Sequence, residues 1–67
     1  MEKAILKDIK KLGWCHKGVR EVMKHFGVDW GNFIKNGIPL EFLDSLNDYQ
    51  ASQLANQARK RIKEENK

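Results

Sequence analysis

The chain predicts an all-α fold: a compact bundle of four to five short helices with a helix-turn-helix-like central pair. Three observations carry that expectation. Apolar residues recur at helical rather than alternating spacing. Glycines at 13, 27 and 37 close successive periodic stretches. Aspartates at 29 and 48 stand where a following stretch would begin, and a carboxylate there accepts hydrogen bonds from the free N–H groups of a first helical turn. Sixty-seven residues give room for one domain, 1–67, with 63–67 expected to fray. A chain this short is near the lower limit for an unaided core. A hydrophobic content of 40%, with three Phe and two Trp, makes such a core feasible.

The first helix is expected over Glu2–Leu12. Ile5, Ile9 and Leu12 share one face, while Lys3, Lys7, Asp8, Lys10 and Lys11 point mostly outward, and Gly13 is the stop. Trp14, Cys15 and His16 form a connector. With Cys15 or His16 as the N-cap, Trp14 can fold back on Val19 as a hydrophobic staple. The second helix gives the clearest periodicity, with Val19, Val22, Met23 and Phe26 at i, i+3, i+4 and i+7 and Arg20, Glu21, Lys24 and His25 opposite. Gly18 lies in its first turn and costs up to about 1 kcal/mol relative to alanine, a cost that close approach of another backbone or of Trp14 would explain.

Gly27 closes that helix and Asp29 opens the next, where Trp30, Phe33 and Ile34 make an apolar face ended by Gly37. Ile38 precedes Pro39, so it favours extended backbone, and the proline suits a helix start. A short helix from Pro39 to about Asp44 presents Leu40, Phe42 and Leu43, and Leu46 closes the core. Asn47 or Asp48 caps the last helix, which begins at Tyr49 and aligns Ala51, Leu54, Ala55, Ala58 and Ile62. Its basic final turns, residues 59–63, are expected to project past the core. The centre of that core is expected to be Trp30, Phe33, Phe26, Val22, Leu43 and Leu54.

One cysteine excludes an internal disulfide framework. No apolar run approaches the roughly 18 residues of a membrane span, and lysines interrupt the N-terminal stretch, so no membrane association is expected. Charge is segregated. Residues 1–27 carry seven basic and three acidic side chains (net +4), residues 28–50 one and four (net −3), and residues 51–67 five and two (net +3).

Cys15, His16 and His25 are the only soft metal ligands, one short of a four-ligand zinc set and without paired spacing. Cys15 and His16 lack a third group to orient a base. Glu41, Asp44 and Asp48 read as solvated residues and caps rather than paired catalytic carboxylates. No phosphate loop, dinucleotide fingerprint or calcium loop is present. These features predict a non-enzyme without metal or cofactor.

A DNA-reading helix-turn-helix is the sharper alternative. Residues 22–28 mimic the first helix and turn of that motif, with Phe33 six residues after Gly27, and Trp30, Asn32 and Lys35 would face the DNA. Against it, Met23 stands where a small residue is usual, the reading helix has about two turns, and Lys35 is the only base in the −3 segment. Phosphate neutralisation dominates affinity for DNA.

Cys15-x-x-Gly18-Val19-Arg20, Gly27-Val28-Asp29-Trp30-x-x-Phe33, Gly37-Ile38, Leu43 and Asp48 together resemble a family of small tailed-phage and prophage proteins. The resemblance covers about residues 15–58. Asn47-Asp48-Tyr49 stands where the family has Gly-Asp-Ala, and the first helix lies outside the pattern. It implies a phage origin near virion-assembly genes and transfers no catalytic or binding residues. The expectation is therefore a small phage accessory protein that binds another protein, of phage or host, in the bacterial cytoplasm or on the virion. The candidate surfaces are an acidic set (Asp29, Glu41, Asp44, Asp48) and a basic set (Arg59, Lys60, Arg61, Lys63). DNA binding is the second reading and a self-associating structural subunit the third.

Overall fold

The computed structural model describes residues 2–66. Five helices dominate: α1 (Leu6–Leu12), α2 (His16–His25), α3 (Trp30–Asn36), α4 (Leu40–Ser45) and α5 (Tyr49–Glu65). Two two-residue strands, β1 (Lys3–Ala4) and β2 (Ile38–Pro39), pair antiparallel with Lys3 opposite Pro39 and Ala4 opposite Ile38. The all-α expectation holds, with this small ribbon as the addition.

The ribbon corrects the first helix. Lys3 and Ala4 are extended, and α1 starts only at Leu6. Asp8 sets that start by accepting from the Ile5 N–H at 2.9 Å. Asp8 is also fully buried rather than outward. A buried carboxylate demands a counter-charge, and Arg61 supplies it, its Nε donating to Asp8 Oδ1 at 2.8 Å. The same guanidinium donates to the Lys3 carbonyl at 3.0 Å and to Glu65 Oε1 at 2.8 Å. Arg61 is thus drawn inward instead of projecting past the core, and α5 stays helical through Glu65, past Lys63 where loosening was expected. Lys67 lies outside the described residues.

The glycine and aspartate punctuation behaves as the pattern predicts. After α1 the Gly13 and Trp14 N–H groups donate to the Lys10 and Ile9 carbonyls; after α2 those of Gly27 and Val28 donate to Lys24 and Met23. Both are two-bond closures around a left-handed glycine, which relieve the last free carbonyls of each helix. Asp29 caps α3 through the Asn32 N–H at 2.8 Å, and Asp48 caps α5 through the Ala51 N–H at 3.1 Å. Gly37 does more than stop α3. It is buried at φ +75°, and a Cβ there would lie 2.7 Å from the Ala4 carbonyl oxygen. β1 and β2 can meet only because position 37 has no side chain.

α5 packs against α1, α4 and β1. Its stripe of Ala51, Leu54, Ala55 and Ala58 is buried against Phe33, Leu43, Ile9, Leu40 and Ala4, and the alanines permit the close approach. Phe33, Leu43 and Leu54 are central as expected. Trp30 and Phe26 only partly bury themselves against this core, and Val22 is likewise part-buried rather than central. Ile34 and Phe42, assigned inward by periodicity, are exposed. In these short helices the neighbours cover only a narrow strip, which Phe33 takes in α3 and Leu40 and Leu43 take in α4.

Candidate functional site: an apolar groove and a basic cleft flanking one helix

α2 has two chemically different sides. Gly18, Val19, Val22, Met23 and Phe26 form one stripe; Lys17, Arg20, Glu21 and Lys24 form another. At 100° per residue their centres are half a turn apart.

The first stripe is one wall of an open apolar groove of about 440 Å³. Leu43 and the Gln50, Ala51 and Leu54 face of α5 make the opposite side, with Gly13, Trp14 and Cys15 at one end. Val19 and Met23 are sealed by the core beneath, while Val22, Phe26 and Trp14 keep part of their surface open. Trp14 and Val19 occupy the staple positions on either side of the Cys15 N-cap and line the same groove. Among the described residues no charged side chain lines it. Gly18 has nothing within 4 Å of where its Cβ would be, so no backbone or indole of this chain accounts for the glycine.

Cys15 stands exposed at the groove's end. Its thiol lies near the unsatisfied N–H groups of Gly18 and Lys17, which hold its pKa below the ordinary thiol value, although no side-chain hydrogen bond of good geometry forms. The cause is local, because partial positive charge at a helix start favours thiolate.

The second stripe opens into a cleft of about 670 Å³ closed on the far side by Gly27, Val28, Asp29 and Trp30. Lys17, Arg20 and Lys24 are exposed, and none makes an ion pair among the described residues. Arg20 in particular does not pair with Asp29, whose carboxylate is engaged in capping α3. Trp30 packs its ring 5.5 Å from Phe33 and 6.2 Å from His16.

The residues singled out from sequence are dispersed or engaged. Of the acidic set, Asp29 and Asp48 are caps and Asp44 pairs with Arg59, while Glu41 is exposed. Of the basic set, Arg59 is held by Asp44, which raises its pKa first through their hydrogen bond, and Arg61 is held by Asp8 and Glu65. Lys60 and Lys63 are exposed. The two sets therefore meet at Asp44 and Arg59 and partly neutralise one another. For the nucleic-acid alternative, Asn32 is exposed and its side-chain oxygen accepts from Asn36 at 2.7 Å, Lys35 is exposed, and Trp30 is half-buried. Among the described residues no three His, Cys, Asp or Glu side chains gather as a metal set. Among the same residues no helix is long and apolar enough to cross a membrane.

Sequence reasoning read the apolar side of α2 but missed that half of it remains open. The signal was Gly18, a glycine inside a helix with no job in its own fold. No family model, curated protein or solved structure matches this chain.

Proposed function

We propose that this chain is a small, non-enzymatic phage accessory protein that acts by binding another protein, and that the groove between α2 and α5 is the contact. The observation that carries the reading is the groove itself, an uncharged concave strip where Trp14, Val22 and Phe26 remain partly in water. From Gly18 to Phe26 it follows about 12 Å of helix, the length over which a bound amphipathic helix places anchors at i, i+4 and i+7. Gly18 lets a second backbone approach α2 without meeting a side chain. The phage assignment rests on the resemblance of residues 15–58. Within that pattern Gly27, Phe33, Gly37, Ile38 and Asp48 have work in the fold, whereas Cys15 at the N-cap of α2 and Gly18 and Arg20 within it are exposed.

A photo-crosslinker on Cys15 tests it in lysate from infected and uninfected bacteria. The expected outcome is one protein adduct that Val22→Lys abolishes without loss of helical signal. An adduct insensitive to Val22→Lys but lost on reversing Glu41, Lys60 and Lys63 moves the contact to the polar surface. Absence of any adduct, alongside sequence-selective duplex binding at physiological salt, favours the helix-turn-helix reading through Trp30, Asn32 and Lys35.

A further inference from the structure

We propose that the cleft between α2 and α3 is a binding site for single-stranded nucleic acid, with phosphates on Lys17, Arg20 and Lys24 and a base against the indole of Trp30. This is independent of the apolar groove, which lies on the opposite side of α2.

The charge argument comes first. Lys17, Arg20 and Lys24 fall at i, i+3 and i+7, one stripe covering about 10 Å of helix. Among the described residues Lys7, Arg59 and Arg61 have a carboxylate within 4 Å, whereas Lys3, Lys10, Lys11, Lys35, Lys60 and Lys63 do not. The three cations of the cleft have none, although two carboxylates share it. Asp29 is oriented toward the Asn32 N–H by its capping role, and Glu21 stands exposed on the same helix without bonding any of the three. The positive charge is therefore available to a ligand.

The opposite wall decides the kind of anion. Val28 and the half-buried Trp30 face the cations across the cleft. Buried Phe33 supports the indole from the core side and exposed His16 flanks it, which pre-orients the ring beside the phosphate-binding stripe. A cationic track with an aromatic platform is the arrangement that holds unpaired strands, because every base can stack while the backbone is neutralised. A carboxylate-rich peptide would use the cations and gain nothing from the indole. Duplex DNA needs an element that projects into a groove, and a concavity between two short helices does not project.

Glu21 supplies a sign that misfolding cannot imitate. It is the uncommitted negative charge in the cleft, so its removal must tighten binding of a polyanion. The measurement is fluorescence anisotropy of a labelled twelve-residue oligothymidylate against the full chain at several salt concentrations. Three phosphate contacts predict a slope of log affinity on log salt of about −2, at about −0.7 per phosphate. Glu21→Gln should bind several-fold tighter. The Lys17→Ala, Arg20→Ala, Lys24→Ala triple variant should lose at least tenfold while Lys10→Ala, Lys11→Ala does not, circular dichroism remaining unchanged in both. Emission from Trp30, read in a Trp14→Phe background, should be quenched on saturation. The proposal is overturned by absence of binding, by a Glu21→Gln variant no tighter than the parent, by equal loss in the Lys10/Lys11 control, or by equal competition from polyglutamate or duplex DNA.

Discussion

At Gly37 a methyl group would sit 2.7 Å from the Ala4 carbonyl oxygen, with Ile5 Cγ2 and Lys3 Cβ at 3.2 and 3.3 Å, and the backbone is already left-handed. Gly18 is helical with open space around it. The two glycines therefore predict opposite outcomes for the same substitution. Gly37→Ala should destabilise by roughly 2–4 kcal/mol, combining left-handed strain with a backbone clash that has no flexible side chain to yield. Gly18→Ala should stabilise by up to about 1 kcal/mol, since alanine is the better helix former. Urea titrations of both variants check this, and a stabilised Gly37→Ala would refute the account of the ribbon. Only half of this contrast was legible in the sequence. Both glycines stand out as punctuation or cost, but the carbonyl that forbids a side chain at 37 comes from Ala4, remote in sequence.

Among the elements, α1 and α5 depend on each other through Asp8 and Arg61. Arg61→Met would leave a buried carboxylate with only the Ile5 N–H, and breaking a buried pair typically costs about 3–5 kcal/mol. The Asp44–Arg59 pair is solvent-screened and should contribute far less by the same measurement. A double-mutant cycle between positions 8 and 61 is expected to show coupling above about 1 kcal/mol, and a cycle between 44 and 59 much less. Arg61 has its pKa raised first by the hydrogen bond to Asp8. For a base with a raised folded value, the associated stability is present below the unfolded pKa and is lost only as pH rises through the folded one. Both lie far above neutrality, so Arg61 stays charged and adds no pH dependence there. The helix boundaries around α2, α3 and α5 were readable because their signals are local: a left-handed glycine after the last turn, an aspartate before the first. The β1–β2 ribbon and the burial of Asp8 were not, because a two-residue strand carries no period and a salt bridge across 53 positions leaves no trace in spacing. Ile34 and Phe42 were misassigned for a related reason. Periodicity names the apolar face of a short helix without saying how much of it the neighbours can cover.

Taken together, the elements sort by how they are held. α5 touches α1, α4 and β1 and contributes Leu54, Ala55 and Ala58 to the fully buried centre. α2 has α3 as its close backbone neighbour, and its two remaining sides are the groove and the cleft. Local stability follows packing, so amide hydrogen exchange should be slowest in the middle of α5, near Leu54 to Ala58, and faster in α2. If α2 proved the most protected helix, its sides would not be contact surfaces awaiting ligands. The candidate functional surfaces were less legible than the fold. The charge sets at 29–48 and 59–63 were counted along the chain, and folding spends five of their eight side chains on caps and internal pairs. Periodicity places Arg20 and Lys24 opposite the apolar face of α2, and only the position of Trp30 across from them gives that side a shape.

The guanidinium of Arg61 also imposes an order of events on synthesis. Asp8 is synthesised 53 residues ahead of its counter-ion, and until that cation arrives burying the carboxylate carries the cost of an unpaired charge. Burial of the first helix must therefore wait for the last one, so the chain can acquire its native interior only once translation has passed residue 61.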